Sequence, residues 1–114
     1  MGHFPYTIQL NRRTLTMYKS IYSDDFYKLT QTASLAVLDV REVEEFEDGH
    51  IASSENLPLS SLVLDYEKLD KSQPYFVICH AGVRSANACD FLSQEGYDVT
   101  NVMGGMSAWE GDVV

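Results

Sequence analysis

Apolar residues fall in short blocks along the chain, and the blocks alternate between two spacings. Leu35-Ala36-Val37-Leu38, Pro74-Tyr75-Phe76-Val77-Ile78 and Val99-Thr100-Asn101-Val102-Met103 are brief runs rich in β-branched and aromatic residues, the pattern of buried strands. Lys19-Ser20-Ile21-Tyr22 and Asn56-Leu57-Pro58 read as two further short strands. Between them the spacing becomes helical. Ser23 is a good N-cap, Asp24 and Asp25 suit the positive end of a helix, and Phe26, Leu29 and Thr30 supply its inner face. Val43 and Phe46 give one apolar edge to a short acidic helix over Glu42 to Asp48. Leu62, Tyr66 and Leu69 predict a helical return over Leu59 to Leu69. Ala88, Phe91 and Leu92 mark one face of a helix from Ser85 to Glu95, which Gly96 stops. After Gly104-Gly105, Ser107 is placed to cap a last short helix carrying Trp109 as a core anchor.

Strand and helix alternate with connections long enough for crossovers, so the fold class is α/β with a parallel sheet. The first segment is different. Phe4, Tyr6, Ile8 and Leu10 alternate with Pro5, Thr7 and Gln9, which is strand periodicity, but Pro5 confines such a strand to an edge. Residues 1–17 are therefore an N-terminal arm or an extra edge strand, and the domain proper occupies residues 18–114.

Composition narrows the function classes. With 114 residues, 45% of them apolar, the chain fits one globular domain. Its 8 Lys and Arg against 17 Asp and Glu give a formal charge of −9. Nucleic acid and anionic membrane surfaces are not expected partners. Two cysteines, Cys79 and Cys89, are the usage of a reducing compartment rather than of a disulfide scaffold. The first 30 residues join no basic start to an apolar run, and no stretch approaches the ~20 apolar residues of a membrane span, so a cytoplasmic location is expected. No His or Cys spacing fits zinc, and no calcium-loop pattern occurs in the acidic Glu42–Asp48 stretch. Neither metal nor cofactor is expected. The carboxylates there read as a solvated face, and His50 as a hydrogen-bonded turn residue.

The chemistry concentrates in Cys79-His80-Ala81-Gly82-Val83-Arg84-Ser85, which leaves the carboxyl end of a strand and enters a helix. In open α/β sheets that crossing binds ligands, because the first amides of a helix have no internal partner. A thiol of pKa about 8.5 is only a few per cent ionised at pH 7, and lowering it by about two units takes about 2.7 kcal/mol. A helix terminus supplies about 0.3 to 1 kcal/mol, so the remainder must come from loop amides around the sulfur and from the Arg84 guanidinium. Gly82 lets such a loop curl. The plainer alternative is a buried structural cysteine with Arg84 in solvent. Asp39 and Arg41 reach the same edge of the sheet, where they either line the rim or brace the loops as an internal ion pair. Cys89 reads as a small core side chain, ten residues from Cys79; the alternative, a resolving thiol, conflicts with the ~7 Å Cα limit for a disulfide.

Four ordered motifs carry a resemblance to rhodanese-like domains. Asp39-Val40-Arg41-Glu42 with Glu45-Phe46 and Gly49-His50-Ile51 is similar to the family's first signature, and Asn56-Leu57-Pro58 follows at the expected distance. Cys79 to Ser85 resembles its active-site loop C-x-x-G-x-R-S, and Gly104-Gly105-Met106-Ser107-Ala108-Trp109 its closing G-G-x-x-A-W. The resemblance runs from about Tyr18 to Trp109. It implies a rhodanese-like open parallel sheet of about five strands with helices on both faces. It also implies a sulfurtransferase that moves a sulfane sulfur, from a donor such as thiosulfate, through a Cys79 persulfide to cyanide, a small thiol or a protein thiol. The amides of His80, Ala81, Gly82, Val83, Arg84 and Ser85 would then hold the anionic sulfur, with Arg84 orienting the donor and Ser85 capping the helix. His80 adds charge, adds a hydrogen bond, or has no catalytic duty. Two competing functions remain at this level. Phosphatases and arsenate reductases of the same fold use a longer C-x5-R loop, whereas Cys79 to Arg84 is C-x4-R. The other competitor is a non-enzymatic rhodanese-like module that docks a partner protein.

Overall fold

The apolar runs form the middle of a six-stranded sheet in the computed structural model, which describes residues 2–114; Met1, the first residue of the arm, lies outside the described residues. In chain order the strands are β1 (Tyr6–Asn11), β2 (Thr16–Tyr22), β3 (Val37–Asp39), β4 (Ser54–Asn56), β5 (Tyr75–Ile78) and β6 (Val99–Met103). Across the sheet they run β1-β2-β6-β5-β3-β4. All neighbours are parallel except β1 and β2, which form an antiparallel hairpin from Tyr6↔Ile21 to Asn11↔Thr16. The helices are α1 (Ser23–Thr30), α2 (Val43–Glu47), α3 (Leu62–Asp65) and α4 (Val83–Gln94).

Both faces of the sheet are covered, which is why its central strands are apolar without alternation. On one side α4 and Leu62 close over Leu38, Val77 and Val99, with Ala88, Cys89 and Leu92 pointing inward. On the other, Phe26 of α1 packs with Ile21, Val37, Ile78 and Val102, and Trp109 leans on Phe26 and Tyr27 at ring separations of 5.7 and 5.3 Å. Among the described residues no helix is long and apolar enough to cross a membrane.

The structure departs from the sequence expectations in several places; Ser107, for one, lies inside the 3-10 turn Gly105–Ala108 instead of capping it, its hydroxyl donating to the Gly104 carbonyl at 2.7 Å. The sheet has six strands rather than about five, because β1 pairs with β2 along its whole length. That pairing also extends β2 back to Thr16, a stretch with no apolar alternation of its own. Ser23 is the first helical residue rather than the cap; its hydroxyl donates instead to the Gly105 carbonyl at 3.2 Å. β4 covers Ser54–Asn56 and ends before Pro58, which has no N–H to pair. The stretch from Leu59 to Leu69 is broken into a 3-10 turn, the single turn of α3 and a second 3-10 turn. Leu62 and Leu69 bury there, but Ser60, Ser61 and Asp65 give the helix little intrinsic support.

Asp39 and Arg41 take the bracing role. Asp39 is fully buried, and its carboxylate accepts the Arg41 backbone N–H at 3.0 Å, Nε at 3.0 and 3.1 Å, and Nη2 at 2.8 Å. The same Nη2 donates to the Gly49 carbonyl at 2.8 Å, fastening the loop after α2. Arg41→Ala leaves an unpaired buried carboxylate and should cost about 3–5 kcal/mol. Urea unfolding measures it; a loss under about 1 kcal/mol, the range of exposed ion pairs, would remove the bracing role.

Candidate active site

β5 ends at Ile78, and Cys79 follows at the carboxyl edge of the sheet. The chain then turns through His80 and Ala81 to Gly82, whose φ of 103° is left-handed backbone that glycine adopts without strain. This turn reverses the path into α4 and aims the Gly82 amide back at the sulfur. Three of the four carbonyls from Cys79 to Gly82 are engaged elsewhere. Cys79 O accepts the Met106 amide and His80 O the Ser107 amide, both at 2.8 Å, and Gly82 O accepts the Asn101 side-chain amide at 3.3 Å. That packing requires Gly105, since a Cβ there would lie 2.3 Å from Cys79 O and 2.7 Å from His80 O.

With the carbonyls turned away, the donors converge on Cys79 Sγ. Gly82 N–H donates at 3.1 Å, Ser85 N–H at 3.3 Å, and Ser85 Oγ lies at 3.3 Å. Burial pushes the Cys79 thiol up, but the Ser85 hydroxyl and the amides of Ser85, Gly82 and Ala81 more than offset it, and the pKa falls below the ordinary thiol value. Three of the six expected amides thus act on the sulfur. Ser85 does not cap α4; it is the third residue of that helix, fully buried, with its hydroxyl on the sulfur. His80, Ala81 and Val83 are exposed and form the outer surface of the loop. Cys79 itself is 1% exposed, one loop deep.

Arg84 has an acidic partner that the sequence reading does not assign to it. Its guanidinium forms a two-pronged ion pair with Glu45, Nη1 to Oε1 at 2.6 Å and Nη2 to Oε2 at 2.9 Å. Its pKa is raised chiefly by Glu45, with Cys79 a lesser influence, and the groups that lower the Cys79 pKa are hydroxyl and amide donors. Glu45 also accepts the Glu42 amide at 3.1 Å, so it joins the start of α2 to the start of α4. One of the five acidic residues taken as a solvated face is therefore part of the site. Asn101, whose side chain holds the Gly82 carbonyl, and Gly105, whose missing Cβ leaves room for the carbonyls of Cys79 and His80, are likewise absent from the sequence-based set. Asn101 does leave a signal, an amide side chain inside an apolar strand.

Cys89 is fully buried on α4, and desolvation, with a smaller effect of Cys79, drives its pKa well above the ordinary value. At neutral pH it is an inert thiol. His50 lies flat on Phe46 with ring centroids 3.7 Å apart, its Nδ1 2.7 Å from the Phe46 carbonyl, which makes it a turn residue.

A family model described as a rhodanese-like domain matches residues 23–112. The thiosulfate sulfurtransferase GlpE of Shewanella oneidensis is 30% identical over 96 residues, spanning 83% of this chain and 95% of that one. A crystal structure of a rhodanese-related protein from Thermoplasma volcanium superposes with a TM-score of 0.77 at 41% identity, covering 83% of this chain and 96% of the other. A rhodanese-like domain protein from Staphylococcus aureus gives 0.73 at 35% identity, with 82% and 91% covered.

The Glu45–Arg84 pair has a pH signature. Arg84 holds the Glu45 carboxyl at about 2, against an ordinary value of 4.5. A depressed folded-state pKa stabilises the fold above the unfolded value and loses that contribution as pH falls through the folded one. The stability advantage of the native chain over Glu45→Gln should therefore be full above pH 4.5 and fade toward pH 2. Urea midpoints across that range measure it; a gap independent of pH would show that the pair does not shift Glu45.

Proposed function

The chain belongs to the rhodanese-like domain family, and on that premise we propose that it is a sulfurtransferase in which Cys79 carries the moving sulfur as a persulfide. The observation that carries this reading is the convergence of the Gly82 and Ser85 amides and the Ser85 hydroxyl on one sulfur atom. Preorganised donors stabilise a thiolate without a general base, and they remain in place when negative charge moves outward onto a second sulfur.

The reaction is two displacements. In the first, Cys79 thiolate attacks the outer sulfur of a donor such as thiosulfate. A new S–S bond forms at Cys79, the bond from that sulfur to the sulfonate breaks, and sulfite leaves with the electron pair. In the second, cyanide, a small thiolate or a protein thiolate attacks the outer sulfur of the persulfide, and Cys79 leaves as the thiolate it was. No net redox change occurs and no cofactor is consumed.

The shape of the site supports sulfur transfer over phosphoryl transfer. The donors lie at 3.1 and 3.3 Å from Sγ itself, so the ring of the C-x4-R loop closes on a single atom. With Cys79 1% exposed, an incoming group must be slim, which fits a terminal sulfur better than a tetrahedral phosphate.

Incubation with thiosulfate followed by intact-mass spectrometry tests this reading. The expected product carries one added sulfur, is reversed by dithiothreitol, is missing in Cys79→Ser and persists in Cys89→Ser. An unmodified protein that hydrolyses an aryl phosphate would overturn it in favour of a phosphatase.

A further inference from the structure

The two edges of the sheet differ in kind. β4 is three residues long and carries Glu55, exposed, at its centre, which is how natural sheets discourage strand addition. β1 has none of these protections. It runs for six residues, Tyr6-Thr7-Ile8-Gln9-Leu10-Asn11, without a charge or a proline, and among the described residues no strand lies beside its outer backbone edge. Tyr6, Ile8 and Leu10 share one face. Tyr6 packs against the cluster around Phe26, whereas Ile8 and Leu10, beyond the reach of α1, are 61% and 51% exposed. Met17, paired with Leu10 across the hairpin, is 64% exposed.

Charge singles out the same edge. All 17 acidic residues lie from Asp24 onward, and the segment before it holds only Arg12, Arg13 and Lys19. Two copies with formal charge −9 repel on most approaches. β1 and β2 carry no acidic group of their own, and those that other elements bring beside the hairpin are engaged, Asp98 with Lys19 at 4.0 Å and Asp90 with the Thr14 hydroxyl at 2.9 Å, so there the repulsion is weakened.

We propose that this edge joins two copies of the chain, β1 pairing antiparallel with β1 of a second copy into one twelve-stranded sheet. A two-fold axis normal to the sheet keeps each side chain on its own face, so paired residues come from the same face of the strand. With the axis at Ile8, each Ile8 meets its counterpart and Tyr6 meets Leu10 of the other copy. All three apolar residues then continue one row. The two Arg12 residues sit eight positions apart along the ladder, about 26 Å, well beyond the ~8 Å screening length at physiological salt. The axis also reverses the strands, so the two Cys79 loops open at opposite ends of the joined sheet and neither is covered. The assembly is independent of the chemistry at Cys79.

Light scattering and sedimentation of the full chain at high micromolar concentration test this. The native chain should run at twice its monomer mass. Ile8→Glu and Ile8→Lys place like charges at the axis and should each weaken association by about tenfold or more, while the exposed site leaves the circular dichroism spectrum unchanged. Mixing the two variants in equal amounts should restore the dimer, since Glu then faces Lys. A folded native chain that stays monomeric, variants that associate like the native chain, or a mixture that fails to recover would each overturn the proposal. The first outcome would leave the edge to a different partner.

Discussion

The structure depends on where the carbonyls of one short loop are sent. Each residue from Cys79 to Gly82 carries an acceptor as well as a donor, and a sulfur ringed by carbonyl oxygens would be a poor anion site. Met106 and Ser107 take the carbonyls of Cys79 and His80, and Asn101 takes that of Gly82. Only then do the amides of Gly82 and Ser85 face Sγ. The closing Gly104–Ala108 turn is in this sense half of the site, though it touches no reacting atom. Gly105 can stand there because it has no Cβ to meet the two carbonyls.

Charge is handled locally. All the acidic residues lie from Asp24 onward, within the rhodanese-like domain, and Arg84, the cation of the Cys79 loop, is neutralised by Glu45. Stabilisation of negative charge on Cys79 therefore falls to uncharged dipoles, which are already in place and need no rearrangement. Glu45 in turn ties α2 to α4, and Asp39 with Arg41 ties the end of β3 to Gly49. Two ion pairs thus fix the loops at the carboxyl edge, one buried with Asp39 and one half-exposed.

Much of this is legible in the chain, and the limits have causes. The strands before Asp39, Cys79 and Gly104 can be read because each is a short apolar run buried on both faces. Cys79 stands out because it joins such a run to a helix start. Glu45 stands out in the sequence only as part of a motif, and its pairing with Arg84, 39 residues on, has no trace in the local pattern of five carboxylates within Glu42–Asp48. The role of Ser85 is hidden for a related reason: a serine at a helix start has a strong local use as a cap, and only the depth of Cys79 shows that its hydroxyl is taken. For β1 the alternation is visible, but its pairing with Thr16–Tyr18 is a long-range fact with no periodic trace in those residues.

The central claim is that amide and hydroxyl donors, rather than Arg84, hold Cys79 as a thiolate. Titrating the ultraviolet thiolate absorbance in Cys89→Ser, which leaves one cysteine, tests it most directly. The account predicts ionisation below that of an ordinary thiol, an upward shift on adding Ser85→Ala, and a smaller shift on adding Arg84→Met. A thiol that titrates at or above the ordinary value, or one moved by Arg84→Met and indifferent to Ser85→Ala, would contradict it.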